Sequence, residues 1–145
     1  RAGGVVCVGR RMTFHKDGTL PESGEFFVFG SNLAGRHGAG AARVAWEKFG
    51  AVQGIGEGFM SLGGQSYAIP TKDRDLIVLP LIDIARGVRR FLGAAANDPL
   101  ARHKRFFVTR IGCGLAGYTD AEIAPMFKGA PENCSFAEEW REFLS

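Results

Sequence analysis

The chain has 145 residues, 46% hydrophobic and 23% charged, which suits one domain and excludes an extended disordered chain. Eighteen Lys and Arg against 15 Asp and Glu give a formal net charge of +3, which admits an anionic ligand but does not argue for duplex DNA. Three cysteines (Cys7, Cys113, Cys134) without C-x-x-C spacing and three scattered histidines (His15, His37, His103) argue against a disulfide framework and leave a zinc site unsupported. No apolar run approaches the ~18 residues of a membrane span. The longest, Leu76 to Ile82, is interrupted by Pro80. With no signal peptide recognised, a cytoplasmic, reducing setting is expected. Glycine is the outlier: 21 of 145 residues, with no collagen-like period. That is about twice the average share of roughly 7%.

Residues 1–24 read as an N-terminal extension with the first strand or strands, and 25–145 as the main part of a single domain. Val5–Val8 is a candidate strand. Arg11–His15 is another, followed by the turn Lys16-Asp17-Gly18-Thr19. Glu25–Gly30 is a continuous apolar run bounded by glycines and predicts a buried strand. A helix is expected from Ala39 to Phe49, with Ala42, Ala45, Trp46 and Phe49 on one apolar face and Gly50 as its stop. Val52–Gly64 is glycine-rich and has no assigned structure; a flap over a ligand is one guess. Ser66–Ile69 reads as a short strand. Pro80 is placed at the start of a helix whose stripe runs Leu81, Ile84, Ala85, Val88, Phe91, Leu92, Ala95, and Asn97-Asp98-Pro99 ends it. Arg105–Thr109 predicts a strand, Ile111–Gly117 a loop, and Asp120–Phe127 a short helix with Asp120 near its N-cap. Near the C-terminus, Ser135 and Glu138 suit a capping box for a last helix, whereas Cys134–Phe136 suits a strand. Alternating strands and helices indicate an α/β domain with a largely parallel sheet.

Two segments share one design, an apolar strand, a glycine-rich turn and a helix. The first runs from Phe26–Gly30 through Gly35, Gly38 and Gly40. The second runs from Phe106–Thr109 through Gly112-Cys113-Gly114-Leu115-Ala116-Gly117. Glycines let backbone N–H groups approach an anion, and a helix N-terminus adds partial positive charge. At the carboxyl ends of neighbouring strands, two such loops suit a diphosphate. Neither is a G-x-x-x-x-G-K-[ST] loop, nor a G-x-G-x-x-G with its acidic partner.

Gly30-Ser31-Asn32-Leu33 followed by Gly38-Ala39-Gly40-Ala41-Ala42, and Thr109-Arg110-Ile111-Gly112-Cys113-Gly114-Leu115, resemble the two phosphate loops of the macrodomain family. The similarity is nearest to the terminal ADP-ribose glycohydrolase class, through Ile69-Pro70-Thr71-Lys72 and through Arg110–Leu115. It extends to compact macro-like proteins of phages and bacterial mobile elements, and covers about Glu25 to Phe127. The resemblance implies a three-layer α/β/α fold with a central mixed, largely parallel sheet. It implies ADP-ribose or a related nucleotide as ligand, an ADP-ribosylated macromolecule as a further partner, and no cofactor, metal or membrane. The ligand would meet Asn32, Gly38, Ala39, Gly40, Ala41, Gly112, Cys113, Gly114, Leu115, Ala116, Gly117 and Tyr118, with Asn32 on the distal ribose. Lys72 stands where the class has its nucleophile. The class has an aspartate directly after G-C-G-L. This chain has Ala116 there, and Asp120 is the substitute candidate. The family's adenine-contacting aspartate has only a distant candidate, Asp17.

Beside this resemblance, the residues alone leave other roles open. His37 suits a phosphate contact or a solvated loop position. Cys113 suits a small packing residue or, near a helix N-terminus, a reactive thiol. Tyr118 and Phe59 suit stacking on a ligand or core packing. A different class of function also fits the missing aspartate and the positive charge: a non-enzymatic binder of another nucleotide or of nucleic acid, for example in phage–host conflict.

Overall fold

A computed structural model describes residues 13–60 and 64–145. The candidate strand Val5–Val8 and residues Arg11 and Met12 lie outside the described residues. Six strands form one sheet: β1 (Thr13–His15), β2 (Phe26–Asn32), β3 (Gly58–Phe59), β4 (Ser66–Lys72), β5 (Phe106–Val108) and β6 (Cys134–Ala137). Their order is β1-β6-β5-β2-β4-β3, and every pairing is parallel except β3 with β4. The edge strand β1 pairs with β6, so part of the 1–24 stretch belongs to the same sheet as the rest. The helices are α1 (Gly40–Lys48), α2 (Leu81–Asn97), α3 (Asp120–Ile123) and α4 (Arg141–Leu144), with 3-10 turns at Ala101–His103, Ala124–Phe127 and Glu138–Trp140. No helix among the described residues is long and apolar enough to cross a membrane.

Strand alternation builds two cores, one on each face of the sheet. Val28 of β2, Tyr67 and Ile69 of β4, and Phe106 and Val108 of β5 pack on α2 through Ile84, Val88, Phe91 and Ala95. Phe27 and Phe29, Ala68, and Phe107 point the other way, toward Ala42 and Ala45 of α1. Each fully buried Phe or Ile contributes roughly 1.5–3 kcal/mol, which is what makes period-2 alternation decisive here. The result is a three-layer α/β/α arrangement, as the resemblance implies.

The stripe on α2 is as expected, with Ile84, Val88, Phe91 and Ala95 all inaccessible to solvent. Pro80 is the N-cap of that helix rather than its first residue. Its carboxyl end stops where Asp98 turns its side chain back onto the N–H groups of Leu100 and Ala101, at 3.0 and 2.9 Å. On α1 the apolar face is narrower than expected. Ala42 and Ala45 are buried and Phe49 stacks on Phe27, but Trp46 is 48% exposed. Two small alanines hold the helix close to the sheet, so the wide indole has no room beneath it. At the C-terminus the strand reading holds: Cys134–Ala137 is fully buried between β1 and β5. The capping box sits elsewhere, at Thr119 and Glu122, so Thr119 and not Asp120 caps α3. The segment expected as one helix to Phe127 becomes one α-turn and a 3-10 turn, because Pro125 cannot donate to the helix ladder.

Candidate functional site

The carboxyl ends of β1, β2, β4 and β5 surround one cleft of about 750 Å³. The first loop, from β2 into α1, supplies one wall. Its path needs glycine twice. Gly35 has φ +69°, and a Cβ there would sit 2.3 Å from the carbonyl carbon of Gly54. Gly40, with φ +58°, is the first residue of α1, and the preceding Ala39 offers no side-chain cap. The second loop, from β5 into α3, turns at Gly112, with φ +77°. It is closed by bonds from Gly117 N–H to Gly114 O (3.0 Å) and from Tyr118 N–H to Gly112 O (2.9 Å). The two loops meet across the cleft: a Cβ on Gly40 would touch Leu115 Cδ1 at 3.6 Å.

Among the described residues, no protein oxygen accepts the N–H groups of Gly38, Ala39, Gly40 and Ala41, nor those of Gly114, Leu115 and Ala116. Unpaired donors cost free energy unless water or a ligand satisfies them. Donors of this kind, one set of them at an uncapped helix N-terminus, have the chemistry to bond an anion.

The structure brings most of the sequence-predicted site together. Asn32, Gly38 to Ala41, Lys72 and Gly112 to Ala116 all line the cleft. Gly117, Tyr118 and Asp120 do not. Tyr118 turns its hydroxyl onto Leu79 O at 2.5 Å, packing the loop instead of facing a ligand. Phe59 packs in the core, edge-on to Tyr67. Asp120 is held by Arg110, whose Nε and Nη2 donate to its two oxygens at 2.9 and 2.6 Å, and by Trp140 Nε1 at 2.7 Å. The Arg110 hydrogen bonds, more than any other cause, keep the Asp120 carboxyl below its ordinary pKa.

Asn32 sits at the end of β2 and is 9% exposed. Its Nδ2 donates to Arg36 O at 2.9 Å, and its Oδ1 accepts from Arg36 N–H at 3.0 Å. The side chain therefore closes the loop from Asn32 to Arg36. His37 is fully buried beneath the loop and away from the cleft. Its Nε2 lies 2.9 Å from Val52 O and 3.0 Å from Ile55 O, so this nitrogen carries the proton. A phosphate contact by His37 is excluded by this burial. Cys113 lines the cleft half-buried, and burial pushes its thiol up to about 12, which favours the packing reading over the reactive thiol.

Three features were missed from the sequence. Arg110 lines the cleft and also pairs with Asp17 at 3.1 Å, tying the β1–β2 loop to the second glycine loop. His15, Phe27, Val44, Phe107 and Leu20 make an apolar wall at the β1 end, where His15 stacks on Phe107 at 3.7 Å. Burial lowers the His15 pKa, which keeps that wall uncharged at neutral pH. Finally, the glycine-rich segment is a floor under the first loop. Ser31 Oγ donates to Gly56 O, Gly54 N–H donates to Gly35 O at 2.9 Å, and a Cβ on Gly56 would lie 2.1 Å from Asn32 O. Its described part is packed under the cleft, not over it, which corrects the flap guess.

The comparisons with known proteins bear on this geometry. The macrodomain of Mycobacterium tuberculosis DarG superposes with a TM-score of 0.64 over 89% of this chain and 98% of that one, at 18% identity. This chain has the macrodomain fold. No protein-family model matches it, and no curated protein matches it in sequence. The match spans almost the whole of the DarG macrodomain.

Proposed function

We propose that this macrodomain-fold protein binds ADP-ribose, or a closely related nucleotide carrying a diphosphate, in the cleft. One observation carries the reading: the N–H groups of Gly38–Ala41 and of Gly114–Ala116, on two loops that meet at one cleft, have no protein acceptor among the described residues. Two such donor sets suit two linked phosphates better than one. The apolar wall of His15, Phe27 and Phe107 then takes the base, and Asp17 stands at its rim. The distal ribose extends toward Lys72 at the end of β4. A thermal-unfolding series tests this: ADP-ribose at a hundred times its Kd raises stability by about 2.7 kcal/mol, and adenosine at the same concentration by much less.

Hydrolysis of an ADP-ribosyl linkage is the second reading. It is favoured by Lys72, which lines the cleft with no carboxylate partner among the described residues. Its free amine has the chemistry to attack the anomeric carbon of the distal ribose and break the ADP-ribosyl bond; the leaving group takes a proton from solvent, and water then hydrolyses the lysine adduct to release ADP-ribose. Asp120 is not given the acid–base role. It lies outside the cleft lining, and its oxygens are already committed to Arg110 and Trp140.

A further inference from the structure

The cleft lining contains three strong cations, Arg36, Lys72 and Arg110. Arg110 is paired with Asp17 and Asp120. Among the described residues, Arg36 has no ion-pair partner; it is exposed and belongs to the cleft lining. The backbone that carries it is held on both sides. On one side Gly35 rests against Gly54 with no room for a Cβ. On the other, His37 is buried, with its N–H on Gln53 Oε1 at 3.0 Å. Between them, the Asn32 side chain grips the N–H and the carbonyl of Arg36 itself. An exposed arginine on a mobile loop loses conformational entropy when it binds. One anchored this way keeps only its own side-chain freedom to lose.

We propose that Arg36 reads the charge of the diphosphate beside the Gly38–Ala41 N–H groups, and that Asn32 is its positioning residue rather than a ligand contact. This rests on the binding reading above and deepens it. The guanidinium adds a charge-assisted contact that an uncharged ligand cannot use. Selection of an anionic ligand then comes from Arg36, and the glycine loops supply the donors for its phosphates.

The test is calorimetric titration of ADP-ribose at several salt concentrations into wild type, Arg36→Ala, Arg36→Lys, Asn32→Ala and the Asn32→Ala/Arg36→Ala double variant. Arg89→Ala, on an exposed face of α2, is the control for net charge. Arg36→Ala is expected to weaken binding about tenfold and to flatten its salt dependence, with partial recovery in Arg36→Lys. Arg89→Ala is expected to do neither. Asn32→Ala weakens binding in the same direction, and the double variant is no worse than Arg36→Ala, because both changes remove one interaction. Wild-type affinity and salt dependence in Arg36→Ala would overturn the proposal while leaving the binding reading intact. So would losses that simply multiply in the double variant. No heat with wild type would overturn both. Arg36 is exposed, so its variants keep the test open if Asn32→Ala unfolds.

Discussion

Arg110 and Asp120 form a two-point ion pair, Nε to Oδ1 at 2.9 Å and Nη2 to Oδ2 at 2.6 Å, with Trp140 Nε1 sharing the first oxygen. Trp140 is fully buried, so this pair joins the second glycine loop to the core on the α2 face. The carboxylate that the sequence offered as an acid–base group is a structural anchor.

The pair has a pH signature. The native Asp120 carboxyl titrates below its ordinary value, chiefly because of Arg110. Its contribution is therefore complete above the unfolded carboxylate range near about pH 4 and is lost as pH falls through the lowered native value. Asp120→Asn is expected to flatten the acid limb of a stability-against-pH curve from urea unfolding. Asp120→Ala, which strands Trp140 Nε1, is expected to cost about 1–3 kcal/mol at neutral pH. An unchanged acid limb in Asp120→Asn would contradict the assignment.

Gly56 and Gly114 are expected to respond oppositely to alanine. A Cβ on Gly56 meets Asn32 O at 2.1 Å, and one on Gly114 meets nothing within 4 Å. Gly56→Ala is expected to destabilise by about 1–3 kcal/mol, since backbone must shift. Gly114→Ala is expected to stay within about 0.5 kcal/mol of wild type. Chemical denaturation of both variants reads the difference, and equal effects would mean that the floor under the first loop is misplaced.

Lys72 separates binding from turnover. If the chain cleaves an ADP-ribosylated substrate, Lys72→Ala is expected to abolish release of ADP-ribose while its affinity for free ADP-ribose stays within about tenfold of wild type. Mass spectrometry of a model substrate follows the release. Undiminished cleavage by Lys72→Ala would remove this lysine from the chemistry, and no cleavage by wild type would leave the protein a reader of ADP-ribose.

Cys113 is expected to be slow toward alkylating agents. Burial raises its thiol to about 12, so at pH 8 it is far less ionised than a free cysteine. Iodoacetamide labelling with peptide-level detection should show Cys113 lagging far behind free cysteine. Rapid labelling would contradict the buried environment described for this loop.

The parts of the site written in local sequence were the legible ones. Two apolar strands entering glycine turns, Phe26–Gly30 and Phe106–Thr109, are readable in the sequence, and both turns line the cleft. What escaped was set by residues far apart in the chain. Gly35 and Gly56 have no room for a Cβ because Gly54 and Asn32 come against them, which their neighbours in sequence do not reveal. His37 looked like a loop residue until Val52 O and Ile55 O closed around its ring. Arg110 read as part of a motif, and its two carboxylate partners lie 93 and 10 residues away. Trp46 satisfied the helical period yet stayed exposed, because periodicity gives a face but not the depth beneath it.

Calorimetric titration of ADP-ribose into wild type and Gly40→Glu bears on the cleft itself. Gly40 is at φ +58° at the start of α1, so a glutamate there strains the turn and puts a carboxylate among the free N–H donors. Saturable one-to-one binding to wild type that disappears in a folded Gly40→Glu variant is the result expected of a diphosphate held between the two glycine loops. Absence of binding to wild type at high-micromolar ADP-ribose, or undiminished binding to Gly40→Glu, would contradict it.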